Sequence, residues 1–480
     1  MNYNDFFKMI PEASLVAILI ILFIADFISA KKETRKWFNP LASILLLANT
    51  MVCLLPLGAQ EAFGGMYVTS TSIDIMKAIL SLGTFIVVLQ SRVWAMRSEK
   101  EGEFYMLVVS TLLGMNVMMS AGNFLMFFLG LEMASVPLAC AVAFDKYRKN
   151  SAEAAAKFII TATFSSAVML YGISFLYAAY GTFYFTDLST KISATPLTIM
   201  GLIFFFSGLG FKISLVPFHF WTADTYQGAP TSVTGYLSVV SKGAATFTLL
   251  SILFHVFGSL VEYWHVLMMI VIVLSITIAN LFAIRQSELK RFMAFSSISQ
   301  AGYIMLAALG NDWSTSVTSL SYYVLIYIVA NMAVFSIISV VEQNNGGKTQ
   351  IDDYDGFYKT NPRLSFLMTL AMFSLGGIPP FAGMFSKFFV FMAGVKGADI
   401  STTMGGWSYV VLFIALLNTV VSLYYYLKIV KAMYINHCDS PLPTFKSDIN
   451  TKFALAICTL GIVLFGLCSY IYEWIAAAAQ

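Results

Sequence analysis

Four ionisable residues stand deep inside long apolar runs, and their types define what chemistry the chain could do. Glu132 ends the run Asn123-Phe-Leu-Met-Phe-Phe-Leu-Gly-Leu-Glu132, and Lys212, Lys242 and Lys387 sit in three other runs. At the α-helical rise, Glu132 lies about 15 Å and Lys242 about 16 Å from the starts of their runs. A charge at the centre of a bilayer costs roughly 2.5–3.5 kcal/mol on an insertion scale, so four unpaired charges would cost on the order of 10–14 kcal/mol. Such groups persist only if they pair, face a hydrated interior or carry out a function. One static Glu–Lys pair gluing two helices would account for Glu132 and a single lysine, leaving two lysines without acidic partners. Lysine suits a proton relay because burial moves the titration of an amine far down and a neighbouring carboxylate moves it back. The series predicts a path for protons.

Two of these lysines lie in helices that must break. One run reads Gly210-Phe-Lys212-Ile-Ser-Leu-Val-Pro217-Phe-His219-Phe-Trp221, where Pro217 has no N–H for the carbonyl of Ile213 and its ring opens that turn. Another reads Gly376-Gly377-Ile-Pro379-Pro380-Phe-Ala-Gly383-Met-Phe-Ser-Lys387 and breaks more strongly. Non-helical backbone at membrane depth is tolerated only where it is buried in protein or lines a cavity. A third run carries Gly235, Ser238, Ser241, Lys242 and Gly243, small residues that could permit tight packing or open a water path beside Lys242.

The composition requires a membrane. Of 480 residues, 59% are hydrophobic and 11% charged, against about 25% charged in soluble domains. A net charge of +3 gives no reason to expect a nucleic-acid partner. Fourteen apolar runs are long enough to span a bilayer: spans 1–14 at about 14–30, 41–57, 73–91, 104–120, 122–143, 154–180, 196–221, 231–257, 264–284, 292–309, 318–341, 363–393, 407–435 and 452–476. The first run follows Asp5, Lys8 and Glu12 without a small-residue cleavage site, which predicts a retained span rather than a signal peptide.

With the N-terminus outside, the predicted cytoplasmic loops carry Lys31, Lys32, Arg35, Lys36, Arg92, Arg97, Lys100, Lys146, Arg148, Lys149, Arg285, Lys290, Arg291, Lys348, Lys359, Arg363, Lys446 and Lys452. The outside segments carry only Lys8, Lys191 and Lys396. This positive-inside alternation supports fourteen spans with both termini outside. Lys77 (beside Asp74), Lys428 and Lys431 stand near span ends and are expected to snorkel to the interface.

The broken spans 7 and 12 are five apart and run in opposite directions. That predicts an all-α, polytopic helix bundle with inverted five-helix repeats, a transporter signature. The expected organisation is an N-terminal three-helix segment over 1–103, a core over 104–435 made of repeats at about 104–257 and 264–435, and a C-terminal loop and last span over 436–480. Cys53, Cys140, Cys438, Cys458 and Cys468 have neither metal-ligand nor redox-motif spacing and are expected to act as small core hydrophobes. No nucleotide motif, nucleophile constellation or metal site is legible.

These residues carry a resemblance. Leu131-Glu132, Lys157, Phe211-Lys212 through Pro217-Phe218-His219-Phe220-Trp221, Asp224 with Ala229-Pro230-Thr231, Lys242, Leu289-Lys290-Arg291 with Ser296-Ser297-Ile298-Ser299, Gly302-Tyr303, and Gly376-Gly377-Ile378-Pro379-Pro380 with Lys387 resemble the antiporter-like membrane subunits of respiratory complex I, an NADH:quinone oxidoreductase. The likeness covers nearly the whole chain and is strongest over about 104–430. It implies that Glu132 pairs with Lys212, that Lys242 is the central relay lysine, and that Lys387 is the terminal relay residue of the outward half-channel. Lys157 and His219 are implied as auxiliary residues of the polar axis; read alone, Lys157 beside Glu153 is interfacial and His219 is a packed histidine at a kink. The lysine after the Gly-Gly-Ile-Pro-Pro break disfavours the M-type subunit, and the end of the chain at Gln480 disfavours the L-type, with its long lateral helix. The N-type remains. Gln300 stands where relatives often have His, which argues against a relay role there.

The resemblance further implies proton translocation driven by quinone reduction elsewhere in a bacterial inner-membrane complex. This chain would carry no cofactor or redox site, and partner subunits would bind NADH, FMN, iron–sulfur clusters and quinone. Its partners would be other complex I membrane subunits, including neighbouring antiporter-like subunits, and the lipid bilayer. The alternative is a subunit of a multi-component cation/proton antiporter, which would exchange ions without redox coupling. A b-type cytochrome needs paired axial histidines from facing helices, and only His219 and His255 lie clearly within spans.

Overall fold

The computed structural model describes residues 3–29, 35–55, 58–98, 100–146, 148–347, 349–438, 441–468 and 470–479. Lys31, Lys32, Lys348 and Gln480 lie outside them. Twelve helices among the described residues are long and apolar enough to cross a membrane. The 16-residue Phe38–Cys53 supplies span 2, and the consecutive Pro362–Gly376 and Ala382–Val395 supply the two halves of span 12. Every expected span thus has a helical counterpart. The only sheet among the described residues is an antiparallel hairpin, Gln60–Ala62 against Tyr67–Thr69, between spans 2 and 3.

Burial sorts the spans into a centre and a rim. Span 10 (Leu289–Leu309) and span 11 (Trp313–Asn344) are enclosed along the whole apolar stretch, and span 3 (Thr71–Arg97) and span 8 (Thr231–His255) nearly so. Span 1 (Ile10–Ser29), span 6 (Lys149–Tyr180) and span 13 (Thr403–Tyr434) turn most of their surface outward. Because hydrocarbon offers no hydrophobic drive between helices, close packing must come from small residues. Spans 4 (Glu101–Met119) and 5 (Phe124–Val142) cross backbone to backbone at two glycines. A Cβ on Gly114 would lie 2.4 Å from the nitrogen of Ala134, and one on Gly130 2.4 Å from that of Met118. This crossing fixes the height of Glu132, two residues beyond Gly130.

The two breaks are built alike. Span 7 consists of Pro196–Ile213 and Phe220–Gly228. Its first half ends at Ser214 in the left-handed region (φ 68°), as that of span 12 ends at Gly377 (φ 85°). In each, the next N–H reaches back five residues: Leu215 to Gly210 O (2.8 Å) and Ile378 to Phe373 O (3.0 Å). These are Schellman-type closures. A turn follows, from Phe218 N to Leu215 O and from Phe381 N to Ile378 O. The lysines are not matched as the breaks are: Lys212 precedes its break by two residues, whereas Lys387 follows its own by ten.

Two expectations need correction. Lys77 does not snorkel; it is fully buried, with Glu12 Oε1 at 2.8 Å and Asp74 Oδ1 at 3.5 Å. Span 1 and the hairpin close over the start of span 3, so no path leads the ammonium to the interface. Among the cysteines only Cys53 and Cys458 are buried, while Cys140 and Cys468 lie on the outer surface. In a bilayer an apolar thiol loses nothing by facing outward, so hydrophobicity there does not predict burial. Lys428 and Lys431 are exposed.

Candidate functional site: a buried lysine axis

Lys212 sits in the last turn before the span 7 break, where its ammonium donates to Ser135 Oγ at 2.8 Å. Ser135 stands one turn from Glu132 on span 5, and its hydroxyl donates a hydrogen bond to Leu131 O. Glu132 is within electrostatic reach of Lys212, but no ion pair of 4 Å or less joins them among the described residues. Its Oε1 is buried without a hydrogen-bond partner. The carbonyl of Phe211 accepts from Ser214 N at 2.9 Å and also from Trp221 Nε1 of the second half-helix at 3.1 Å.

Lys242 follows a π-helical segment, Leu237–Ser241, within span 8. Single π turns widen a helix and recur at functional sites. The ammonium donates to Ser297 Oγ of span 10 at 2.7 Å and lies 5.5 Å from the centre of the Tyr226 ring. His219, in the span 7 break, is buried, leaves Nδ1 without a partner and is within electrostatic reach of Lys242.

Lys387 reaches back across its break to donate to Gly376 O at 3.1 Å, 4.9 Å from the centre of the Tyr303 ring. It satisfies a carbonyl released by the break. A cavity of about 10 Å³, lined by Gln300, Tyr323, Tyr327, Ser386 and Lys387 among others, lies beside it; this is about the room one water needs. Lys212, Lys242 and Lys387 are 6%, 1% and 4% exposed, and each is held by a neutral oxygen.

Gln300 stands between the last two lysines. Its Nε2 donates to Leu375 O (3.1 Å) and Tyr426 Oη (3.0 Å), and its Oε1 accepts from the Tyr323 hydroxyl. An amide neither gains nor loses a proton here, but it ties spans 10, 11, 12 and 13 together at the break. Lys157 lies off this axis: half-exposed on span 6, it contacts Glu153 (2.8 Å) and Asp224 (2.8 Å), and Arg291 joins Asp224 at 2.7 Å. Ser135, Ser297, Tyr303 and Tyr323 were not singled out as axis residues from the sequence. Ser135, at one helical turn from Glu132, is the one whose spacing carried a signal.

A family model described as NADH:quinone oxidoreductase/Mrp antiporter, TM, matches residues 121–413. A Phocaeicola vulgatus protein named NADH-quinone oxidoreductase subunit N is 52% identical over 482 residues, covering 100% of each chain. This chain belongs to the NADH-quinone oxidoreductase subunit N family. A chain of respiratory complex I from Thermus thermophilus superimposes with a TM-score of 0.79 at 28% identity, over 95% of this chain and 97% of that one. A chain of the Mrp complex from Dietzia sp. shares the fold, with a TM-score of 0.82 at 18% identity over 98% and 97%. Within the subunit N family, then, the segment matched by the model contains Glu132, Lys157, Lys212, His219, Lys242 and Lys387, whereas the Lys77 cluster falls before it.

Proposed function

We propose that this chain is a proton-translocating membrane subunit of an NADH:quinone oxidoreductase. Protons move along Glu132, Lys212, Lys242 and Lys387, driven by quinone reduction in other subunits of the complex. The observation that carries this reading is a contrast among buried lysines. Lys77 is enclosed with two carboxylates, so the chain can neutralise a buried ammonium. Lys212, Lys242 and Lys387 are given a hydroxyl, a hydroxyl and a carbonyl instead. An amine held by neutral oxygens can gain or lose a proton without tearing an ion pair apart, which in a low-dielectric interior is costly. Glu132 is the movable counter-charge of Lys212, and His219 assists between Lys212 and Lys242. Lys157, paired with Glu153 and Asp224, acts at the edge of the axis. NADH, FMN, iron–sulfur clusters and quinone bind to partner subunits, and neighbouring antiporter-like subunits flank this one. The excess of basic residues in alternate loops supports a bacterial inner-membrane location with both termini outside.

The test is NADH-driven proton transport by the whole complex reconstituted in vesicles. A Lys242→Ala subunit that assembles should abolish acidification of the vesicle lumen. Transport at the wild-type rate would overturn the reading.

A further inference from the structure

The lysine axis needs a supply of protons from the face that carries the basic loops, and one carboxylate there is built into the bundle. Glu342 lies in the last turn of span 11, its side chain 13% exposed. Its Oε1 accepts from Arg148 Nη1 at 3.1 Å, and its Oε2 accepts from the hydroxyl of Thr231, the first residue of span 8. Cavities of about 390 Å³ and 520 Å³ flank this junction, both lined by Arg148, Glu342 and Gly347. One side of Glu342 therefore meets wide, polar openings and the other meets the top of the helix that carries Lys242.

Beneath it runs a buried polar column. Thr231, Gly235, Ser238 and Lys242 are spaced four, three and four residues apart, which puts them on one face of span 8. Opposite stand Gln90 of span 3 and Ser336 and Asn331 of span 11. Gln90 Oε1 accepts from Ser336 Oγ at 2.5 Å, and Asn331 Nδ2 donates to Ser238 Oγ at 2.6 Å. A Cβ on Gly235 would lie 3.5 Å from Gln90 Nε2, so the amide stands beside the glycine. Gln90, Ser238, Asn331 and Ser336 are all buried, and Asn331 Oδ1 has no hydrogen-bond partner. An unsatisfied buried acceptor is costly, and here it lies between a carboxylate at the surface and an amine at mid-depth. The whole run from Thr231 to Lys242 is about 16 Å of helix. An Arg148–Glu342 pair that merely clipped a loop to the bundle would need no polar interior below it.

We propose that Glu342 is the proton-uptake group of this subunit, passing protons from the basic-loop face down the Thr231–Ser238–Asn331 column to Lys242. The inference rests on the proton-translocation reading above. In each delivery the O–H bond of protonated Glu342 breaks and an N–H bond forms on Lys242. The proton passes by way of the hydroxyls of Thr231 and Ser238, and water entering the column during turnover would bridge them. Gln90 and Asn331 orient that chain with their amides and keep their own protons. The carboxylate then regains a proton from water in the flanking cavities, and no electron moves.

The experiment compares vesicles containing the whole complex with wild-type, Glu342→Gln, Glu342→Asp, Asn331→Leu and Lys242→Ala subunits, with assembly checked on a native gel. Glu342→Gln keeps an acceptor for Thr231 but cannot release a proton, so it should lower NADH-driven proton transport at least fivefold. Glu342→Asp should recover more than half of the wild-type rate, which a purely structural role would not require. Asn331→Leu blocks the column without touching the carboxylate and should also slow transport at least fivefold; it stands alone as the test if Glu342→Gln does not assemble. Wild-type transport by either assembled variant, with Lys242→Ala inactive, would overturn the uptake route alone. Wild-type transport by Lys242→Ala would instead overturn the lysine relay itself.

Discussion

The ammonium of Lys212 is bonded to Ser135 at 2.8 Å, three residues along the same helix from Glu132, while Glu132 itself keeps a buried oxygen free. The lysine is thus parked on a neutral hydroxyl with its counter-charge within electrostatic reach. Moving it between Ser135 and Glu132 is a local side-chain rearrangement, since the two acceptors stand one helical turn apart.

If that exchange is the switch, Glu132 and Lys212 act as one unit. Glu132→Gln should reduce proton transport strongly, and Glu132→Asp less so. Adding Glu132→Gln to a Lys212→Ala background should cause little further loss. A double-mutant cycle of transport rates measures this, and effects additive in free energy would show two independent sites.

Ser135→Ala removes the neutral resting place and should favour the Glu132–Lys212 ion pair. We expect transport to fall severalfold with the complex still assembled, because the net worth of one hydroxyl bond is only about 0.5–1.5 kcal/mol or somewhat more when charge-assisted. Transport by Ser135→Ala equal to wild type would mean that the hydroxyl only fills space.

As the exit group of the proposed relay, Lys387 would have to release its proton outward, so its basicity would have to be of the kind that switches. Lys387→Arg keeps the charge and a donor for Gly376 O but scarcely deprotonates. It should assemble and yet transport poorly. Lys387→Met, which loses the charge but keeps much of the volume, should fail as well. Full transport by either variant would reduce Lys387 to a brace for the broken helix.

The Lys77 cluster is predicted to be structural. Lys77→Met strands Glu12 and Asp74 without their cation, and breaking a buried pair in this way costs about 3–5 kcal/mol. The yield of assembled complex and its unfolding temperature should fall. Replacing all three residues together, Lys77→Met with Glu12→Gln and Asp74→Asn, should recover most of the loss. Thermal scans of the detergent-solubilised complex make the comparison; a triple variant no better than the single one would refute the charge argument.

The sequence alone determined the spans, the positions of both breaks and the lysines of the axis. The reason is energetic. In hydrocarbon every exposed polar group is costly, so twenty-residue apolar runs, mid-span prolines and deep charges each stand out without knowledge of their neighbours. Partnership was decided only by tertiary packing. Lys77 and Lys212 are both buried lysines with an acidic residue elsewhere in the sequence, yet one is enclosed by carboxylates and the other rests on Ser135. That difference depends on which helix face lies opposite, and so on crossings such as Gly114 over Ala134 that bring distant segments within an ångström-scale fit. Gln300 illustrates the same point, since its type argued against a relay while its packing placed it between Lys242 and Lys387. Glu342, near a helix end and among polar neighbours, carried no signal in the sequence. The role proposed for it rests on Thr231, Ser238 and Asn331 stacking beneath it, an arrangement only the tertiary structure creates.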